Sequence, residues 1–416
     1  NEAKLAAAQT NLDVMTVIGN GAVPRVLRRA GISTCDIFIA VTDYDEVNMV
    51  ACLAAKQAGV QRTIARVRDE GYSTDNLGGF YQALGVDLTI NPEMVTAVEI
   101  NNILKTPGAL DIERFADGKV QMFEAKIREG SPYAQIPLAQ LSLPPQILVA
   151  GIMRTGKMII PNGKDVLMPH DFVFFVGADE AINAFGNEFN LKKTKVQRVL
   201  IIGAGRIGRN LAALLKEAGI SVKLIEKDKE RSQKAADELE GSMVFCADGA
   251  DLDVLNEVGI AEADAVVCLT EDDKLNILIA LLAKHLGVTR TFIRLENIAY
   301  RPISENIGVD VALSARLLTT GAILRLTRPG DVAYVAVLQG AAAEAMEIIV
   351  KENFHYLGVP LKDAKFPKNA LLGAIVRQDG AVVIPKGNTA FAPQDRVVVF
   401  VLPESAAAVV KYFERS

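Results

Sequence analysis

Histidine and cysteine are scarce in this chain, and their scarcity removes most familiar routes to metal and nucleophilic chemistry. The 416 residues include three histidines, His170, His285 and His355, and four cysteines, Cys35, Cys52, Cys246 and Cys268. Each histidine stands alone, so each reads as structural, and zinc sites or Ser-His-Asp arrangements lack the residues they need. The cysteines sit in apolar runs such as VFCAD and AVVCLT without CxxC spacing, and read as buried free thiols of a cytosolic protein. A basic excess is also missing: the net charge of -5 and pI near 5.5 argue against a chain that wraps nucleic acid. No apolar run approaches the roughly 18 residues a transmembrane helix needs, since ILIALLA after Asn276 stops at Lys284. No secretory signal pattern opens the sequence. The expectation is a soluble, intracellular protein without a transmembrane segment and without a nucleic-acid partner.

What the chain has in quantity is core material, with 50% hydrophobic and 23% charged residues over a length that suggests two to four domains. It is also a duplication. Gly21 and Gly249 stand 228 residues apart, and the same offset links Gly31 with Gly259, Asp36 with Asp264, Thr42 with Thr270, Asn48 with Asn276, Gly59 with Gly287, Arg62 with Arg290 and Arg66 with Arg294. After a small shift the match resumes, pairing Arg154 with Arg377, Pro161 with Pro385, Gly163 with Gly387 and Asp171 with Asp395. Each half thus holds two different modules in the same order. The polar segment Asn187 to Arg198, NEFNLKKTKVQR, reads as the linker between halves.

The first module of each half alternates short β-branched runs with helical patterns, which predicts a Rossmann-like, doubly wound parallel sheet with helices on both faces. The second module splits its strands with turn signals and predicts a small α+β unit with antiparallel pairing. In the register of the repeat, the partner of Gly203 would precede residue 1. The first half therefore lacks an opening strand, glycine turn and second strand, and repeat arithmetic predicts roughly 30 further residues upstream. Without its central strand, the first sheet is expected to expose an apolar groove.

The stretch VLIIGAGRIGRNLAALLKEAGISVKLIEKD, from Val199, carries the chemistry. A strand leads into Gly203, Gly205 and Gly208, a helix follows, and a second strand ends on Glu226. Gly203 permits the tight turn, Gly205 lets the backbone approach a pyrophosphate, and Gly208 lets helix pack on sheet. Phosphates would meet unpaired N–H groups at the helix N-terminus. Glu226 would accept from adenosine ribose hydroxyls and repel a 2′-phosphate. Asp248 and Thr270 end the third and fourth strands, where either ligand contact or turn and cap chemistry accounts for them. Arg206 and Arg209 could clamp a phosphate or simply face solvent. Arg294 and Arg66 end the fifth strand of each half, as phosphate contacts or structural ion pairs. The acid clusters TEDDKLN and TDYDEVN read as helix N-terminal charges rather than a metal site. No catalytic constellation can be assembled, so the nucleotide reads as a signal; a nicotinamide-dependent oxidoreductase and a nucleotide-sensing transcriptional regulator stand as alternatives.

The order IIGAGRIG, IEKD, ADG, VCLTEDDKLN and IVRQDGAVVIPKG, in a chain that carries this module pair twice, resembles the TrkA family of bacterial Trk potassium uptake systems, built of RCK domains, also called KTN. The resemblance implies RCK-N domains over residues 1–110 and 191–332 and RCK-C domains over 111–190 and 333–416, the first RCK-N without its N-terminal strands and glycine loop. It implies a non-enzymatic regulatory subunit, assembled as a homo-oligomeric ring, a homotetramer, on the cytoplasmic face of the cell inner membrane under a membrane-embedded Trk potassium transporter. NAD(H) and ATP or ADP are the implied regulatory ligands. Carried onto this chain, the phosphate loop falls on Gly203, Gly205, Arg206, Ile207 and Gly208, the ribose contact on Glu226 and the adenine-side loops on Asp248 and Thr270. In the first half, Asn20, Thr42 and Arg66 are the remaining candidates, with Asn20 where Asp248 predicts an acid.

Overall fold

The computed structural model describes residues 2–72, 79–105, 112–186, 196–327, 332–338 and 342–414. Most of the expected linker, residues 187–195, and the expected boundary at 110/111 lie outside the described residues. The chain divides into two compact units, 1–95 and 96–416.

The first unit holds β1 (Ile37–Ala40), β2 (Arg62–Arg66) and β3 (Leu88–Ile90), all parallel in the order β1-β2-β3. The helix Asp45–Gln57 crosses over between β1 and β2 and buries Met49, Ala51, Cys52 and Ala55. Ile39 and Val41, at and just beyond β1, are 37% and 48% exposed.

In the second unit the first antiparallel module comprises β4 (Ile112–Phe115), β5 (Val120–Lys126), β6 (Ile147–Arg154), β7 (Lys157–Ile159) and β8 (Phe172–Ala178), ordered β4-β5-β8-β6-β7. The parallel sheet that follows has β9 (Arg198–Ile202), β10 (Ser221–Glu226), β11 (Met243–Cys246), β12 (Ala265–Cys268), β13 (Arg290–Arg294) and β14 (Val311–Leu313), ordered β11-β10-β9-β12-β13-β14. That is the doubly wound order, with its switch point between β9 and β12. The two central strands, β9 (RVLII) and β12 (AVVC), are near-continuous apolar runs, as strands covered by helices on both faces should be. The second antiparallel module, β15 (Val332–Leu338), β16 (Ala343–Ile349), β17 (Ala370–Val376), β18 (Val382–Val383) and β19 (Arg396–Val401), repeats the order of the first as β15-β16-β19-β17-β18.

Matched residues hold matched structure. Asp171, 2% exposed, accepts from Arg154 Nε at 2.9 Å, Arg154 Nη2 at 2.7 Å and the Met168 N–H at 2.7 Å. Asp395 likewise accepts from Arg377 and from the Ala392 N–H. Such charges are tolerable inside only because they are paired and hydrogen-bonded.

The two antiparallel modules pack on one another. Phe115, Met122, Phe174 and Val176 of the first share a core with Leu338, Ala345, Val398 and Phe400 of the second. Gly151 is held to glycine by this contact, because a Cβ there would strike the Phe400 ring. At the rim Glu347 accepts the Ala116 N–H at 2.8 Å, and Arg396 bridges Glu347 at 2.6 Å and Asp117 at 2.5 Å.

One helix has no local signal for its partner. Ala97, Ile100, Ile103 and Leu104, from the last three turns of the helix Pro92–Lys105, pack in the core of the six-stranded sheet with Val199, Ile201, Leu224 and Phe292. At roughly 1.5–3 kcal/mol per large aliphatic side chain buried, this docking is a major stabilising contact. Arg290 Nη2 donates to Ile103 O at 3.0 Å and its Nη1 reaches Leu104 O at 3.5 Å, placing a cation on the helix C-terminus. Among the described residues no helix is long and apolar enough to cross a membrane.

Candidate functional site

The carboxyl ends of β9, β10, β11 and β12 converge where the glycine stretch begins. Gly203 has φ +106°, and a Cβ on it would lie 3.1 Å from the Leu269 carbonyl and 3.2 Å from Thr270 N, so the turn passes directly against the end of β12. Gly208 is refined from the sequence expectation: a Cβ there would collide first with the Gly203 carbonyl oxygen of the turn, and only then approach Ile201. Gly205 differs from both, with an ordinary φ of -61° and nothing within 4 Å of an added Cβ. Its hydrogen faces open space.

The helix Arg206–Glu217 starts at Gly205 with no side-chain cap and no acidic residue in its first turn. Its unpaired N–H groups are thus left to an external acceptor. Arg206 is exposed, Ile207 is buried in the core beneath the sheet, and Arg209 donates to Ala204 O at 2.8 Å and pairs with Glu238 at 2.6 Å. Arg209 is therefore occupied in holding the turn, which answers the choice between phosphate clamp and solvated arginine with a third role.

Glu226, 7% exposed, accepts the Ala204 N–H through Oε2 at 2.8 Å and the Asp228 N–H through Oε1 at 2.9 Å. Each oxygen keeps a lone pair. Asp248 makes a turn, its Oδ1 accepting the Ala250 N–H at 2.9 Å, and Asn20 does the same for Ala22 at 2.9 Å. The Thr270 N–H and hydroxyl both donate to Asn276 Oδ1, at 3.0 and 2.7 Å. Arg294 lies at the end of β13, paired with Glu296, and Arg66 donates to Thr42 O at 2.7 Å and pairs with Asp43 at 2.8 Å. Gly203 thus stands against Thr270, and Glu226 holds the Ala204 N–H of the same turn, while Arg206 opens the helix that follows and Asp248 lies two residues beyond β11. Asn20, Thr42 and Arg66 lie in the first unit, at the ends of the corresponding segments there.

In TEDDKLN, Asp272 caps its own helix, accepting from the Lys274 and Leu275 N–H groups, whereas Asp273 accepts the Glu296 and Asn297 N–H groups at 2.8 Å each; in TDYDEVN the helix has no side-chain cap, and Asp45 accepts the Arg68 and Asp69 N–H groups at 2.8 Å each. No metal-binding group of side chains occurs among the described residues. Two cysteine expectations are corrected. Cys52 and Cys268 are buried, but Cys35 and Cys246 are exposed, because Cys35 closes the 3-10 turn Ile32–Thr34 ahead of β1 and Cys246 is the last residue of the edge strand β11. Sequence reasoning also missed what Asn48 and Asn276 do, although their matched positions were visible in the repeat.

The geometry defines a class: tandem Rossmann-type modules, the second with an open glycine turn before its first helix, each followed by an antiparallel module. The TrkA-N domain family matches residues 1–92 and 199–315, and the TrkA-C domain family matches 122–190 and 345–414. A Trk system potassium uptake protein TrkA homolog from Archaeoglobus fulgidus is 38% identical over 391 residues, covering 94% of this chain and 88% of that protein. Homolog 1 from Methanosarcina mazei is 36% identical over 411 residues, covering 97% and 91%. Trk system potassium uptake protein TrkA of Vibrio alginolyticus is 34% identical over 410 residues, covering 97% and 89%. The chain belongs to the TrkA family. Among solved structures the GsuK RCK domain shares its fold, with a TM-score of 0.58 at 18% identity over 99% of this chain and 88% of that one. The GsuK channel bound to NAD superposes equally, with a TM-score of 0.58 at 17% identity over 99% and 73%.

Proposed function

We propose that this chain is a nucleotide-binding regulatory subunit of a potassium uptake system, not an enzyme. The observation that carries the reading is the turn at Gly203–Gly205: a glycine with open space in front of it, an uncapped helix N-terminus behind it, and the Glu226 carboxylate beside it. An adenine dinucleotide or nucleotide, NAD(H) or ATP and ADP, fits this donor set. The diphosphate would lie on the N–H groups from Gly205 onward, the ribose hydroxyls on Glu226, and the adenine side against the Asp248 and Thr270 loops. A 2′-phosphate is disfavoured by the Glu226 charge. Membership of the TrkA family and the names of its relatives support a membrane-embedded Trk transporter as partner, with the chain on the cytoplasmic face of the membrane in a homo-oligomeric ring, a homotetramer. A ligand that binds two ring conformations unequally shifts their ratio by its differential affinity and by no more.

The test is a thermal-shift panel with ATP, ADP, NAD, NADH and NADPH, followed by nucleotide-dependent potassium flux with the transporter. A ligand at about 100 times its Kd adds roughly 2.7 kcal/mol to stability. Stabilisation by nucleotides lacking a 2′-phosphate, with flux that follows occupancy, is expected. Absence of any shift would refute the nucleotide reading, and steady hydride turnover would favour an oxidoreductase.

A further inference from the structure

A buried asparagine is duplicated between the two halves bond for bond. Asn276 is 0% exposed; its Oδ1 accepts the Thr270 N–H at 3.0 Å and the Thr270 hydroxyl at 2.7 Å, while its Nδ2 donates to Thr270 O at 3.0 Å and Arg294 O at 2.9 Å. Asn48, also 0% exposed, makes the same four bonds to Thr42 and Arg66, at 2.8, 2.7, 3.0 and 2.9 Å. All four hydrogen-bonding capacities of the amide are used in each copy. The effect is to lash the ends of two adjacent parallel strands to the first turn of the helix between them.

Thr270, the residue that Asn276 lashes, forms the wall against which Gly203 turns, 3.2 Å from the position of a Cβ on that glycine. We propose that Asn276 is a positioning residue for nucleotide binding at the Gly203 turn: it fixes the backbone of Thr270 and so sets the width of the crevice between β9 and β12. The proposal rests on the reading of the glycine turn as a nucleotide site. Without Asn276, the Thr270 N–H and two carbonyls lose their partner, and the loop has to be ordered again each time a ligand binds.

Asn48, which bonds to Thr42 and Arg66 and not to Thr270, supplies the comparison. NAD and ADP are titrated calorimetrically into the wild-type chain and into Asn276→Ala and Asn48→Ala, with unfolding midpoints and backbone hydrogen exchange measured on the same samples. Both variants should lower the midpoint by a similar amount. Asn276→Ala should weaken the nucleotide held at the Gly203 turn at least ten-fold and speed exchange at the Thr270 amide, while Asn48→Ala leaves exchange at that amide as in wild type. Asn276→Asp, which keeps the volume and the acceptor but loses both donations, guards against a variant that fails to fold and should also weaken binding. Binding within two-fold of wild type in both Asn276 variants, or equally fast exchange at the Thr270 amide in Asn48→Ala, would overturn the proposal. A wild-type chain that binds neither probe would overturn the site reading itself, and this proposal with it.

Discussion

Gly205 and Gly208 lie in one motif three residues apart, yet the structure assigns them opposite sensitivities. Adding a methyl at Gly208 drives it into the Gly203 carbonyl oxygen, a backbone atom that cannot rotate away. Helix or turn must move, and forced packing of this kind costs about 1–3 kcal/mol. At Gly205 the methyl enters open space at φ -61°. Two small terms then oppose each other: alanine restricts the unfolded chain, worth about 0.4–1 kcal/mol, and is a poorer helix cap than glycine by a similar amount. The expected net change is within about 0.5 kcal/mol. The same methyl, however, occupies the face on which a diphosphate would rest. Urea unfolding and nucleotide titration of Gly205→Ala and Gly208→Ala separate the cases. Gly208→Ala should lose stability, and Gly205→Ala should keep stability but lose nucleotide affinity ten-fold or more. A Gly205→Ala chain that binds as well as wild type, or a Gly208→Ala chain as stable as wild type, would refute the reasoning.

Other outcomes follow from the same structure. Arg290→Met should remove the charged cap on Ile103 and Leu104 carbonyls, worth about 1.5–3 kcal/mol for a charged donor, and show as faster hydrogen exchange in the last turn of the helix Pro92–Lys105. With a thiol reagent, Cys35 and Cys246 should react in the native chain, whereas Cys52, whose thiol is pushed up to about 12 by burial with Asp87 adding, and the fully buried Cys268 should react only on unfolding. Burial acts to raise the Asp87 pKa, but hydrogen bonds from Lys56 and Thr63 outweigh it and hold the carboxyl below its usual range. The stability this contributes is present above the unfolded value of about 3.9 and is lost as pH falls through the lower folded value. Acid unfolding of Asp87→Asn should therefore be shallower than that of wild type between about pH 5 and 2.

The parts of the fold written in short-range pattern were legible beforehand. Strand VLII, the turn at Gly203 and the end of β10 at Glu226 follow from local chemistry, and the constant offset between halves carried the module order. What stayed hidden depended on contacts far apart in sequence. Nothing in NPEMVTAVEINNILK indicates that its last turns lie under β9 and β12, because an apolar helix face does not name its partner. Asn276 was visible as a match to Asn48, but an asparagine in a helix's first turn looks the same whether it faces solvent or ties two strands together. Cys246 shows the limit of run-based burial: four residues of strand say little about the residue at which the strand stops.

The face-to-face antiparallel modules have a consequence for how such an interface can change. Were the two modules on separate chains, each would meet an identical copy, and every substitution would appear on both sides of the contact at once. Joined in one polypeptide, they form a dimer whose halves mutate independently and whose pairing does not dilute with protein concentration. The contact records that freedom: Gly151 makes room for Phe400, and Glu347 and Arg396 clasp Ala116 and Asp117 across the rim. Duplication has thus turned a symmetric handshake into a lock with a distinct key side, one that can be retuned on either half alone.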